Sequence, residues 1–407
     1  MIGLILEIIF LAIAGLGNLR LRMIPFLVLY FLAFGVFLSA VKLSEKRFTV
    51  RFILLFALLF RVTMLLGPPS LSDDIHRYLW DGRVQNAGIN PFRYPPDSPE
   101  VSFLRDEHYP GINHKEISTI YPPASQFLFR LVDRVDHSFT GMRAAFILVD
   151  FLVSFFIIKI LGALGKDKRK IIYYAWNPLV IMEVASSGHV DVLGTALLLG
   201  AIWLYLRGWF RFSSFVLALS FLAKFWAVSI LPFYKKKLKK SGWWVFPLTV
   251  LVLYLPFLDS PEQLFAGLFA YSRGWETNDS IFRVVKWLLG THLYTRAVIV
   301  FIYLSLIWYL TSRYTGNILR ETYILIGAFL LLSPTAFPWY FCWMVPFICF
   351  YEHPGWLYLT AVTPLSYTVL IDFQTRGIWR ENQAVILVEY LPFLLISLRH
   401  FLKKRSS

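Results

Sequence analysis

The chain has 407 residues, of which 57% are hydrophobic and 16% charged, and its formal net charge is +15. A mean hydropathy of +0.59 excludes an ordinary soluble domain. The excess Lys and Arg residues lie in short loops between apolar runs, which indicates membrane topology and contact with anionic lipids and argues against nucleic acid as a partner.

Apolar runs long enough for membrane helices recur along the whole sequence. We therefore predict an all-α polytopic membrane protein with about 12–14 transmembrane segments, folded as one integral-membrane domain over residues 1–407. The two cysteines, Cys342 and Cys349, share one run and are predicted to be packing residues rather than a disulfide. The runs lie near residues 2–17, 24–41, 52–67, 141–161, 171–187, 191–206, 212–234, 242–258, 297–311, 321–337, 340–351, 356–371 and 383–398.

Six basic loops separate these runs, and the positive-inside rule places all six in the cytoplasm. The run 212–234 lies between two of them and carries Lys224 and Pro232, so we predict a re-entrant pair of short helices there. Residues 68–140 and 259–296 are then long external segments, in which we expect short amphipathic helices on the membrane surface. The basic loops are 42–51, 166–170, 207–211, 235–240, 313–320 and 399–405.

The first external segment begins with the acidic stretch Ser72–Asp81, and Asp73 and Asp74 stand side by side within it. A carboxylate near a low-dielectric boundary is a candidate general base or cation site. Capping of a helix N terminus is the structural alternative for these two residues. A helix here would bring four side chains to one face, namely Asp74, Arg77, Tyr78 and Asp81.

Two later groups are predicted to lie on the same side of the membrane. Tyr121 precedes an apolar run in Tyr121-Pro122-Pro123, where it is a candidate ligand contact, although the prolines alone indicate a rigid turn. Glu183, His189 and Asp191 follow Trp176-Asn177-Pro178. These three side chains are candidates for substrate binding or for a divalent metal, and a hydrogen-bonded structural corner is the alternative.

Two further groups complete the candidate site. Lys224, Arg273 and Arg283 are candidate phosphate ligands, with snorkelling to lipid headgroups as the alternative for cations at this depth. Trp339 and Tyr340 end the stretch Ser333–Tyr340, whose two prolines interrupt a helix. Their rings suit stacking on a sugar or a prenyl chain, and a plain aromatic belt is equally compatible with the sequence.

Together these stretches resemble the GT-C superfamily of integral-membrane glycosyltransferases, and most closely the bacterial mannosyltransferases that use polyprenyl-phosphate sugars. The resemblance implies inverting transfer of mannose or another hexose from a polyprenyl-phosphate donor to a lipid or glycan hydroxyl. It places the active site at the periplasmic or exterior face of a bacterial plasma membrane. It also implies an external-loop Asp as general base, either Asp74 or Asp73, with Asp74 favoured. The matching stretches are Ser72–Arg83, Gly88–Tyr94, Tyr121–Pro123, Trp176–Pro178, Gly188–Asp191, Lys224 and Ser333–Tyr340.

A secondary transporter or flippase for a polyprenyl-linked or other amphipathic substrate is the alternative function, because Lys224 and Glu183 lie within apolar runs. The sequence shows neither internal repeats nor a series of charges through the runs, which a transporter more often has. No nucleotide-binding loop or nucleophile elbow is present. The residues call for no cofactor, and a divalent cation stays an open possibility because Arg, Lys or a metal can neutralise a leaving phosphate.

Overall fold

The computed structural model describes residues 1–235, 237–239, 242–314 and 316–405. Within these residues the chain forms α-helices, short 3-10 helices and one π-helical turn, and its only extended pairing is an isolated bridge between Thr277 and Thr335. The all-α class predicted from the sequence is therefore confirmed. Lys236 and Lys240, which belong to the predicted basic loop 235–240, lie outside the described residues.

Twenty α-helices are formed by the described residues. They are α1 (Ile2–Gly15), α2 (Met23–Arg47), α3 (Val50–Met64), α4 (Asp74–Asn86), α5 (Pro123–Val135), α6 (Phe139–Ala163), α7 (Ile172–Ala175), α8 (Pro178–Ile181), α9 (Asp191–Leu206), α10 (Phe210–Phe221), α11 (Val245–Tyr254), α12 (Ala266–Gly274), α13 (Ile281–Leu289), α14 (His292–Ser312), α15 (Ile318–Leu332), α16 (Pro338–Phe341), α17 (Val345–Tyr351), α18 (Pro354–Val362), α19 (Val369–Arg376) and α20 (Gln383–Arg405). The 3-10 helices are Pro99–Leu104, Tyr109–Gly111, Lys168–Ile171, Phe225–Tyr234, Leu255–Phe257 and Thr363–Thr368, and Met182–Ser186 forms the π-helical turn.

Several helices are suited to a lipid environment. Large apolar side chains on them, such as Leu148, Phe301 and Leu395, are exposed, and so many exposed apolar side chains require a lipid solvent. Two apolar helices, Pro178–Ser186 and Asp191–Leu206, are separated by a short, sharply bent break. Together they are long enough to form one further membrane span. The protein is thus a polytopic integral membrane protein, and the predicted total of about 12–14 segments stays a prediction. Four helices are long and apolar enough to cross a membrane by themselves: Met23–Ser44, Phe139–Ala163, His292–Ser312 and Gln383–Lys403.

The run 212–234 does not form one straight span. Helix α10 ends at Phe221, Lys224 has an extended backbone, and the 3-10 helix Phe225–Tyr234 follows. Helix α10 packs on α9, where the Ser220 hydroxyl donates a hydrogen bond of 2.9 Å to the Gly194 carbonyl. The two short helices that the sequence predicts are therefore present, and their entry and exit on one side of the membrane stays a prediction.

The chain divides into two compact units, each built from separate stretches of sequence. The first contains Met1–Pro68, Ile157–Ser186 and Glu276–Ser407, and the second contains Pro69–Phe156 and Ser187–Trp275. Neither unit is continuous in sequence, because the chain leaves and re-enters each of them. The predicted single domain over residues 1–407 stays a prediction.

The core of the first unit contains polar groups that bond to backbone. The fully buried Trp176 donates its indole N–H to the Ile53 carbonyl at 2.8 Å, and the buried Arg61 donates to the Ala175 carbonyl at 2.8 Å. These bonds are needed because a buried polar group without a partner is costly. Cys342 and Cys349 are free and buried, and their predicted role in packing agrees with that burial.

In the second unit, the segment 68–140, which is predicted to be external, forms the helices α4 and α5, which pack on each other. Their position on the membrane surface stays a prediction. The paired prolines Pro122 and Pro123 fix the start of α5, since proline suits the first turn of a helix. The Tyr78 ring of α4 stacks on Phe129 of α5, with ring centroids 4.6 Å apart. Gly82 lies at the closest approach, where an added Cβ would be 2.6 Å from the Phe129 carbonyl oxygen.

Replacing Gly82 with Ala is expected to destabilise the protein. Ala favours a helix by up to about 1 kcal/mol over Gly. The new methyl, however, would meet backbone rather than a flexible side chain, and overpacking of this kind costs about 1–3 kcal/mol. The measurement is the apparent Tm in detergent. Gly35→Ala is the matched control, because Gly35 is a helical glycine with nothing near its added Cβ. A Tm unchanged in Gly82→Ala would contradict the tight α4–α5 packing.

Candidate functional site

The acidic stretch begins helix α4, as its sequence predicts. Asp73 occupies the N-cap position, but its side chain makes no capping hydrogen bond. The Ser72 hydroxyl instead accepts the Asp74 backbone N–H at 3.2 Å. Capping therefore does not account for two adjacent carboxylates at this end of the helix.

Tyr78 and Tyr121 form an aromatic wall next to Asp74. The Tyr78 hydroxyl lies 3.5 Å from Asp74 Oδ2, one helical turn away, and is placed to donate a long hydrogen bond. The Tyr121 ring meets the Tyr78 ring edge to face, with centroids 5.0 Å apart. Both rings are buried, so the Asp74 carboxylate has an apolar surface on one side.

An ion pair from distant parts of the sequence lies within the same unit. Lys224 Nζ is 3.1 Å from Asp191 Oδ1, and the same ammonium is 6.0 Å from the centroid of the Tyr121 ring. Asp191 is the first residue of α9 and follows Gly188, whose φ of +74° is a conformation that favours glycine. The sequence predicted the acidic, His-Asp and basic groups as parts of one candidate site, and the second unit contains members of all three.

Electrostatics makes Asp74 unusual in this group. Burial raises the pKa of the Asp74 carboxyl above its usual value of 3.8; His189 and Lys224 oppose that rise, whereas Asp191 and Asp73 add to it. A carboxylate with a raised pKa holds a proton more strongly and is a better general base.

The two phenols cannot serve as bases in this way. Burial raises the pKa of Tyr78 and the pKa of Tyr121 well above 10. Both therefore stay protonated at neutral pH, and they are suited to donating hydrogen bonds.

Asp81 organises the segment that follows α4. Its side chain is almost fully buried, and its oxygens accept hydrogen bonds from Arg77 Nε at 3.0 Å and from Gln126 Nε2 at 2.8 Å. Thr119 donates a third, short hydrogen bond to the same carboxylate. Arg77 also donates to the Ile117 carbonyl at 2.8 Å. The geometry favours a positioning role for Arg77 and Asp81, and direct contact with substrate stays a prediction for both.

Thr119 and Gln126 illustrate what the sequence did and did not indicate. Gln126 follows the Tyr121–Pro123 turn in the sequence, and the structure buries it in the network around Asp81. Thr119 had no signal in its neighbourhood beyond the turn residues Tyr121–Pro123. A partner for a buried Asp81 could have been expected, but not its identity, because the pairing depends on how α4 and α5 pack.

Four of the predicted site residues belong to the first unit, namely Glu183, Arg283, Trp339 and Tyr340. Glu183 lies in the π-helical turn Met182–Ser186 and is buried, and the Tyr367 hydroxyl lies 3.0 Å from each of its oxygens. Trp339 is buried, and Tyr340 stacks on Trp343 with centroids 4.7 Å apart. A structural hydrogen bond accounts for Glu183 as well as a ligand would, so its binding role stays a prediction.

The two candidate phosphate arginines have different surroundings. In the first unit, Arg283 donates to Asp279 Oδ1 at 2.7 Å and to Glu381 Oε2 at 2.5 Å, so two carboxylates already neutralise it. In the second unit, Arg273 is in the last turn of α12 and exposed. The observed pairing argues against a free phosphate site at Arg283, and the role of both residues stays a prediction.

Replacing Asp81 with Asn is expected to lower the apparent Tm. The change removes a buried carboxylate that pairs with Arg77, and breaking a buried ion pair by removing one partner costs about 3–5 kcal/mol. Differential scanning fluorimetry in detergent measures the change. Asp97→Asn is the matched control, because Asp97 is exposed in the same external segment. Equal Tm values for the two variants would show that the Asp81 network does not hold this segment in place.

Comparison with known families identifies the chain. The family described as "Alpha-(1->6)-mannopyranosyltransferase, N-terminal domain" matches residues 12–238, which is more than half of the chain. The matched region contains the acidic stretch, the His189–Asp191 turn and Lys224. No curated protein matches the chain. An all-helical, membrane-spanning structure agrees with the family, and the chain therefore belongs to this GT-C type mannosyltransferase family and is a membrane glycosyltransferase.

Proposed function

We propose that the chain transfers a mannosyl residue from a polyprenyl-phosphate donor to a hydroxyl group of a lipid or glycan acceptor, with Asp74 as general base. The observation that carries the proposal is the position of Asp74. Its carboxylate is partly buried, has a raised pKa, and is electrostatically coupled to His189, Lys224 and Asp191. Family membership supports mannose as the transferred sugar.

The proposed step is a single displacement. Asp74 accepts the proton of the acceptor hydroxyl as the acceptor oxygen forms a bond to the anomeric carbon. The bond between that carbon and the donor phosphate oxygen breaks, and the phosphate leaves with the bonding electron pair. A positioned base contributes about 10²–10⁴-fold to such a reaction. Asp74 requires its deprotonated form for this role, so the raised pKa is an advantage only at pH values above that pKa.

Negative charge develops on the leaving phosphate, and Lys224 is the proposed group that stabilises it. Lys224 is about a fifth exposed and is already paired with Asp191, which fixes its ammonium. A fixed cation stabilises developing charge without reorganising during the reaction. Arg273, exposed in the same unit, is a second candidate for binding the donor phosphate.

Stereochemistry and orientation follow from the same proposal. The family description specifies an alpha-(1->6) linkage. A single displacement inverts the anomeric carbon, so an alpha product requires a beta-linked donor. The positive-inside rule places the basic loops in the cytoplasm, and this supports an active site at the periplasmic or exterior face of a bacterial plasma membrane.

Replacing Asp74 with Asn is expected to lower kcat by about 10²–10⁴-fold, because the amide cannot accept the acceptor proton. The measurement is turnover of radiolabelled polyprenyl-phosphate mannose by the purified protein in nanodiscs that contain membrane lipid extract as a source of acceptor. Binding of the donor and the apparent Tm of the variant are expected to stay near the wild-type values.

Asp73→Asn is the matched control, because it removes the adjacent carboxylate and leaves Asp74 in place. We expect this control to retain most of the wild-type kcat. Full turnover by Asp74→Asn would exclude Asp74 as the base, and loss of turnover in Asp73→Asn alone would transfer that role to Asp73.

A further inference from the structure

We propose that the second unit contains a site for a divalent transition metal, formed by Asp106, His108 and His137. Each residue offers one ligand atom, and the three atoms lie within 4.8 Å of one another. All three side chains are partly buried. They belong to the external segment and to the turn after α5, and none of them has a role in the proposed transfer reaction.

The distances between the donor atoms suit one small cation. His137 Nε2 is 2.7 Å from Asp106 Oδ2. Ligand atoms of a tetrahedral zinc ion are about 3.3 Å apart, since each lies about 2.0 Å from the metal. Only a small outward movement of the two side chains would therefore place a metal between them. The His108 ring closes the third side, with its centroid 5.4 Å from that of His137.

The surrounding hydrogen bonds orient two of the three ligands. His137 Nδ1 contacts the Asp133 carboxylate, which leaves Nε2 facing the cluster. Metal-binding histidines commonly have a carboxylate behind the ring in this way. Asp106 Oδ1 accepts the backbone N–H groups of His108 at 3.0 Å and of Tyr109 at 3.2 Å. Asp106 Oδ2 is consequently turned toward His137.

Arg83 is a cation that already contacts this cluster. Its Nη1 is 2.5 Å from Asp106 Oδ2, and its side chain is about one-third exposed. Because the Arg83 side chain keeps access to water, its guanidinium can turn away from Asp106 and be solvated, and the metal would then take its place as the partner of that carboxylate. Arg83 also donates to the Leu104 carbonyl at 3.1 Å, and this bond can retain the side chain nearby.

The donor set indicates which metal the site would prefer. Two imidazole nitrogens and one carboxylate suit zinc or iron(II), whereas calcium and magnesium prefer oxygen ligands alone. His76 lines the same crevice and is a candidate fourth ligand, as is water. The bound metal would join the segment that carries Asp106 and His108 to α5, and so steady the end of the second unit that includes α4.

Zinc binding by the full-length, tag-free protein in detergent tests the proposal. After removal of metals with a chelator, the protein is titrated with Zn²⁺, and bound zinc is measured by mass spectrometry. We expect one high-affinity zinc per chain and a rise in Tm of about 4 °C or more when free zinc is near 100 times the Kd. Co²⁺ in place of Zn²⁺ is expected to show the visible absorption bands of a tetrahedral site.

Variants assign the zinc to these residues. His108→Gln and Asp106→Asn are expected to lose the high-affinity zinc and the rise in Tm. His114→Gln is the matched control, because His114 is an exposed histidine of the same segment. Its zinc content should equal that of the wild type. Absence of stoichiometric zinc and of cobalt bands in the wild type would overturn the proposal, as would full zinc retention in His108→Gln. If either variant fails to fold, the cobalt spectrum of the wild-type protein decides whether the metal site exists.

Discussion

The burial of Asp74 beside the Lys224–Asp191 ion pair is the interaction on which the proposed chemistry depends. A carboxylate in an apolar setting would take up a proton and lose its charge unless a cation were near. Lys224 and His189 oppose this rise in pKa, and Asp191 moderates their effect. Burial therefore raises the pKa of Asp74, and the neighbouring charges of both signs set the size of that rise. That balance requires the N terminus of α4, the N terminus of α9 and the end of α10 to lie together in one unit.

The packing of α4 on α5 supports this arrangement. Tyr78 projects from α4 between Asp74 and Phe129, so the helix that carries the carboxylate also carries part of its apolar wall. One turn further along, Asp81 collects hydrogen bonds from Arg77, Thr119 and Gln126. Long chains of such bonds resist local deformation because every buried partner that is lost leaves another group unsatisfied. The polar network and the aromatic stack therefore serve the same end, which is to hold Asp74 in place.

Much of this organisation could be predicted from the sequence because it has local signals. Hydrophobic length indicated the membrane class, and the spacing of Asp74, Tyr78 and Asp81 predicted α4. The break near Lys224 was predicted from its charge and from Pro232.

The ion pair between Lys224 and Asp191 could not be predicted, because single-sequence periodicity carries no information about which distant turns meet. The same limit concealed the pairing of Arg283 with the distant Glu381, which made that arginine look available for phosphate. It also concealed the cluster of Asp106, His108 and His137, whose members are up to 31 positions apart.

The most direct test of the central claim is the pH dependence of kcat/KM in the wild type and in Lys224→Met. Asp74 acts as a base only when ionised, so kcat/KM should fall as the pH drops through the Asp74 pKa. The positive charge of Lys224 lowers the pKa of the Asp74 carboxyl. Removing its charge should therefore move the acidic limb of the profile to higher pH, in addition to any loss in rate. An acidic limb that stays at the same pH in Lys224→Met would contradict the coupling of Lys224 to a catalytic Asp74.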